Sequence, residues 1–195
     1  MATVETATLR AFHGDPKVKR KYLARVRRHR KADQLIQGQG WVPETHKGCA
    51  VGCTLDAYDH DRYPIELGLP VQLAHAEDHI FERLPKAEAM AWPEAFLKAI
   101  PVGADTSQVV DRVTLWTLEW DLAHPVEPPY PEGIARHEAL IVLFKRRLAG
   151  DEPKASEWQK IERAAWAAWA ARAAFYIELS AAILEILRAC PVVEG

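Results

Sequence analysis

The stretch from Asp15 to Asp33, DPKVKRKYLARVRRHRKAD, decides the class of fold. An aspartate followed by proline is an N-cap with proline at the first helical position, where its missing N–H costs nothing. Val18, Tyr22, Leu23 and Val26 then recur at helical spacing. The spacing predicts a helix from about 16 to 36, stopped by Gly38. Nine of the chain's 25 basic residues lie between Lys17 and Lys31, so the rest of a chain with 27 acidic residues is acidic while this helix is strongly basic. Its outward face displays Lys17, Arg20, Lys21, Arg27, Arg28 and Lys31, and these are the candidate ligand- or partner-binding residues.

Outward from this helix the pattern stays helical. Pro70 opens a helix with the stripe Leu73, Ile80, Phe81 and Leu84, stopped by Pro85. A short helix beginning at Pro93, a fourth capped by Asp105 and a fifth over about 132–149 follow. The last is expected to run unbroken over about 155–189, roughly 50 Å long at about 1.5 Å per residue. Its middle sets Trp166 and Trp169 among alanines and is apolar nearly all round, so it must be covered on several sides, by other helices or by a second copy of the chain. No strand is expected. The reading is an all-α fold, a compact bundle of five to seven helices with an irregular Gly/Pro-rich connector between Gly38 and Pro70 and a long Ala/Trp-rich C-terminal helix. Residues 1–150 form the helical domain that includes the cysteine-bearing connector, and 151–195 pack on the same core.

With 49% hydrophobic and 27% charged residues, composition excludes disordered and collagen-like classes. The N-terminus lacks the apolar core of a signal peptide and no long uncharged apolar run occurs, which predicts a cytoplasmic protein with no membrane partner. Three cysteines, Cys49, Cys53 and Cys190, are too few for a disulfide framework and read as thiols.

Polar residues that fall on apolar faces are the candidates for chemistry. His29 and Asp33 continue the Val18, Tyr22, Val26 stripe and should point inward, as a hydrogen-bonded pair or as shared metal ligands. Glu77 lies within the Pro70 helix's apolar stripe and needs a partner, which His29 or an arginine of the basic helix could supply. His75, His79 and Glu82 fall on the opposite, solvated side. In Gly48-Cys49-Ala50-Val51-Gly52-Cys53-Thr54 two thiols share a face if the turn is helical. A thiol at a helix N-terminus has a depressed pKa and can act as a nucleophile, with His29, His46 or His60 as base. Buried small hydrophobes are the competing reading of the same cysteines. Cys49, Cys53 and His60 are the candidate metal ligands, with no evident fourth. P-loop, Rossmann, nucleophile-elbow and HExxH motifs are absent from the sequence.

The strings His13-Gly14-Asp15-Pro16, His29 with Asp33, Lys47 to Thr54, Glu66-Leu67-Gly68, Glu77-Asp78, Ile80-Phe81-Glu82 and Trp92-Pro93 resemble those of a group of uncharacterised bacterial and phage proteins, which also end in an alanine-rich, tryptophan-containing helical tail. The resemblance covers about the first 105 residues, and His75 and His79 are outside its pattern. It implies an intracellular accessory role of phage or mobile-element type, such as binding a host factor or a defence signal. The expected function is therefore a non-catalytic binding protein, a homo-oligomer whose partner is a protein or an anionic small molecule, with nucleic acid less favoured. The alternative is a Cys/His-dependent enzyme or metal protein built on His29, Asp33, Cys49, Cys53 and Glu77.

Overall fold

A computed structural model of the chain describes residues 9–125, 131–162 and 173–193. Among these the protein is all-α apart from one two-stranded ribbon, with nine α-helices where five to seven were expected, two of the additional ones being short helices inside the connector. The chain divides into two compact units, one of residues up to Ser107 together with those from Ala173 onward, the other from Gln108 to Arg172. Backbone bonds explain why the C-terminus joins the first unit: Asp105 N–H donates to the Pro191 carbonyl and Val193 N–H to that of Gly103.

In the first unit, α1 (Pro16–Lys31) starts as the sequence predicts, with the Asp15 carboxylate accepting the Lys17 N–H at 2.7 Å and Pro16 in the first turn. It ends five residues earlier than expected. Asp33 N–H bonds to the Arg30 carbonyl and Gln34 N–H to the His29 carbonyl, a Schellman motif with Asp33 in the left-handed conformation at φ 54°. A residue in that conformation leaves the helix, so Asp33 cannot extend the stripe, and it is exposed.

The connector then forms a small antiparallel ribbon, β1 (Trp41–Val42) with β2 (Lys47–Gly48), around a tight turn that the sequence reading missed. It continues into α2 (Ala50–Leu55) and α3 (Arg62–Leu67). The Gly-Cys-Ala-Val-Gly-Cys string has a packing explanation: a Cβ at Gly48 or Gly52 would collide with the Gly40 carbonyl oxygen, which accepts the Cys49 N–H at 3.0 Å. Glycine at both positions lets the chain lie on itself.

α4 (Val71–Arg83) buries Leu73, Ala74, Glu77, Ile80 and Phe81. α5 (Lys86–Ala99) begins seven residues before Pro93, because Pro85 starts it and Ala89, Trp92, Phe96 and Leu97 form one continuous buried stripe. Pro93 sits within it, leaving only the Ala89 carbonyl without its helical donor. The Trp92 indole N–H donates to the Glu77 carbonyl at 2.9 Å and ties α5 to α4. α9 (Ala173–Arg188) completes this core with Tyr176, Leu179, Ile183 and Leu187.

The second unit pairs α6 (Val109–Ala123) with α7 (Pro131–Leu148), antiparallel as the Asp111–Arg147 and Asp121–His137 ion pairs require. α6 starts four residues after Asp105, whose carboxylate caps the Ser107 N–H instead. α8 (Ala155–Glu162) packs on α7 through Trp158 and Phe144, ring centres 5.0 Å apart. Residues 163–172, with Trp166 and Trp169, lie outside the described residues, so the unbroken terminal helix is followed only as α8 and α9. No helix among the described residues is long and apolar enough to cross a membrane.

Candidate functional site

The basic helix is used unevenly. On the side packed against α5, Arg27 reaches Glu94 at 2.8 Å and Arg30 reaches it at 3.4 Å, while Lys98 and then Arg27 hold the Glu94 carboxyl down to about 2. Lys19 donates to the Lys98 and Ile100 carbonyls, and burial lowers its pKa. Lys17, Arg20, Lys21, Arg28 and Lys31 remain exposed, and their spacings of three, four and seven residues place them along one side of α1.

That side ends in an open cleft of about 590 Å³ lined by Arg28, His29, Gln34, Trp41, His46 and Asp56. His29 forms its inner wall. Its Nδ1 meets the Gln34 Oε1 at 2.7 Å and its Nε2 meets the Asp56 Oδ1 at 2.6 Å, while the Trp41 ring stands edge-on to it at 5.6 Å. Asp56, at the left-handed end of α2, also takes Arg25 at 3.1 Å and, loosely, Arg28 at 3.6 Å. The Arg28 side chain is 63% exposed, and its other contact, with the His29 Nε2, is also long at 3.5 Å. His46, exposed and tilted on Trp41 at 6.1 Å, forms the outer rim.

On the other side of α2 the chemistry reverses sign. Cys49 caps α2, its sulfur accepting the Gly52 N–H at 3.4 Å, and one ligand atom from each of Cys49, Asp78 and Glu82 lies within 4.8 Å of the others. The helix N-terminus does not activate this thiol: burial and then the facing Asp78 carboxylate raise its pKa well above the ordinary value. Asp78 is 9% exposed; its Oδ1 is inaccessible and finds no hydrogen-bond donor among the described residues, while Oδ2 takes the Tyr58 hydroxyl at 3.3 Å and His60 at 3.5 Å. His60 stacks on His75 at 4.3 Å, closing the outer side of the cluster. Glu82 accepts the Gly38 N–H at 2.5 Å, and burial raises its pKa.

Beneath this cluster Glu77 is fully buried, as its place in the stripe predicts, but its partner is the Tyr63 hydroxyl rather than His29 or an arginine. Burial, aided by Asp78 and opposed by the Tyr63 bond, pushes the Glu77 carboxyl up to about 8. The Cys53 thiol is likewise inside, donating to the Gly48 carbonyl at 3.4 Å, and burial pushes it up to about 12.

The five residues expected to form one centre thus have separate partners. Asp33 is exposed, His29 has both ring nitrogens engaged, Cys53 and Glu77 are bonded within the core, and Cys49 faces Asp78. Cys49, Cys53 and His60 do not group as ligands; Asp78 and Glu82 stand where Cys53 and His60 were expected. Of the helix residues placed in solvent, His75 is exposed, but Glu82 and His79 are half-buried, the latter against the Tyr176 ring at 5.7 Å. Gln34, Trp41, Asp56 and Asp78 went unassigned to either site, although Asp78 and Glu82 lie four apart on one helix, a spacing that places two carboxylates on one side.

No family model, curated protein or solved structure matches the chain.

Proposed function

We propose that the protein is a cytoplasmic, non-catalytic binding protein whose ligand is an anionic, ring-bearing small molecule taken up in the cleft at the end of α1. The observation that carries this reading is the run of exposed cations on α1 leading into a cleft of small-molecule size, whose arginine is loosely held and whose rim carries an indole and an imidazole. Arg28 would exchange its long contact with Asp56 for a phosphate or carboxylate, and Trp41 would offer an aromatic surface for a ring. The carboxylate of Asp56 does not forbid an anion, since Arg25 and His29 remain bonded to it when Arg28 leaves. Nor does the helix end: the Schellman bonds occupy the carbonyls of His29 and Arg30 in the last turn.

The Cys/His-dependent enzyme has less support, because burial raises the pKa of both Cys49 and Cys53 and, of its three candidate bases, His29 has both ring nitrogens engaged. A phage-type accessory role, with the ligand a host factor's or a defence signal's anionic group, is proposed from the resemblance alone. Self-association through the segment around Trp166 and Trp169 is proposed from sequence, and a monomer in light scattering at high concentration would remove it.

Thermal-shift titration with inorganic pyrophosphate and with a nucleoside triphosphate tests the cleft. The triphosphate is expected to raise the melting temperature of the wild type more than pyrophosphate does, and Arg28→Glu and Trp41→Ala to cancel that gain. Arg27→Glu, whose arginine is committed to Glu94, should retain it. Equal responses in Arg27→Glu and Arg28→Glu, or no shift in the wild type, would refute this use of the cleft.

A further inference from the structure

On the far side of α2 from the proposed anion cleft, Cys49, Asp78 and Glu82 bring a sulfur and two carboxylates together from the cap of α2 and from one side of α4. Among the described residues no lysine or arginine touches them: the groups that touch Asp78 are a phenol, an imidazole and the thiol, and Glu82 is held by a backbone N–H. A buried carboxylate oxygen without a donor is uncommon in folded proteins because its desolvation goes uncompensated. Among the described residues Asp78 Oδ1 is such an atom, with the Cys49 thiol alone facing its carboxylate from the cap of α2, in a residue 9% exposed.

We propose that Cys49, Asp78 and Glu82 are the three protein ligands of a borderline divalent cation of the zinc class. The donor set selects the class. A thiolate favours zinc, cobalt or iron over magnesium and calcium, and carboxylates supply the remaining charge. About 2.3 Å for a zinc–sulfur bond and about 2.0–2.2 Å for zinc–oxygen place tetrahedral ligands roughly 3.3–3.6 Å apart. Ligand atoms now within 4.8 Å must therefore draw together by up to about an ångström, which rotation of the half-exposed Glu82 side chain can supply. On binding, the metal–sulfur bond replaces the S–H bond of Cys49 and the proton leaves to solvent. Three protein ligands leave the fourth tetrahedral position open, as in zinc sites that bind water or an exchangeable ligand. His60 and the 54%-exposed Tyr58 stand beside the cluster, since both contact Asp78.

Cobalt(II) titration of the full chain, purified with chelator and reductant, reads the site through the thiolate-to-cobalt charge-transfer band. The wild type should develop this band at one equivalent and lose it on addition of zinc. Cys53→Ser should keep it, Cys49→Ser should abolish it, and Glu82→Gln, at a half-exposed position, should weaken cobalt binding at least tenfold with an unchanged circular dichroism spectrum. A wild type without the band, a band that survives Cys49→Ser, or unaltered affinity in Glu82→Gln would overturn the assignment.

Discussion

α2 separates two regions made from the same connector yet opposite in charge and in manner of closure. Toward α1 the carboxylate of Asp56 is surrounded by Arg25, Arg28 and His29, every strong group but Arg28 is tightly held, and the cleft beyond is open. Toward α4 the carboxylates of Asp78, Glu82 and Glu77 meet thiols, phenols and the His60 imidazole, with no lysine or arginine in contact among the described residues. The difference teaches that a charge is stabilised by its surroundings rather than by its element. A cysteine at a helix N-terminus would be activated in isolation, but among buried acids desolvation wins and the thiol holds its proton.

The largest expected effect tests the acidic side. The Glu77 carboxyl ionises near 4.5 when unfolded and near 8 when folded, so between these values the folded state carries the extra proton. Stability is then full below about pH 4.5, falls as pH rises toward 8, and levels off above, a change of a few kcal/mol. Glu77→Gln, which can still accept from Tyr63, should flatten this decline in denaturant unfolding measured from pH 5 to 8. A decline equal to the wild type's would mean that Glu77 is ionised in the fold.

Gly52→Ala tests what both sides share. Its Cβ would be driven into the Gly40 carbonyl oxygen, and a loss of about 3 kcal/mol in urea unfolding is expected. Tolerance of alanine there would show that the connector does not lie on α2 as described.

On the basic side, His29→Ala strips Asp56 and Gln34 of their shared partner inside the core and should cost about 2 kcal/mol. Asp33→Gly, four residues away, should act in the opposite sense. Glycine suits the left-handed position that ends α1, so a gain of about 0.5–1 kcal/mol is expected in the same unfolding assay. Two losses of similar size would indicate that Asp33 works with His29 after all.

Residues whose environment is set by local periodicity were legible in the sequence. The start of α1, the Pro70 boundary of α4 and the inward turn of His29 and Glu77 all follow from caps and apolar stripes. What failed was the extrapolation of a stripe past a helix end, since a Schellman turn at Asp33 depends on one backbone conformation that any of several residues can adopt. Partners across the fold were also out of reach. That Asp56 rather than Asp33 receives His29, and Tyr63 rather than an arginine receives Glu77, is decided by how the connector folds back through Gly40, a contact between distant stretches with no periodic signature.

The claim that α2 divides two binding regions of opposite character is tested most directly by amide chemical-shift mapping of one labelled sample, titrated first with a nucleoside triphosphate and then with zinc. Two separate sets of perturbed amides are expected, around Arg28, Ala32, Trp41 and His46 for the nucleotide and around Gly38, Cys49, Asp78 and Glu82 for the metal. Both ligands moving the same set, or neither moving its own, would contradict it.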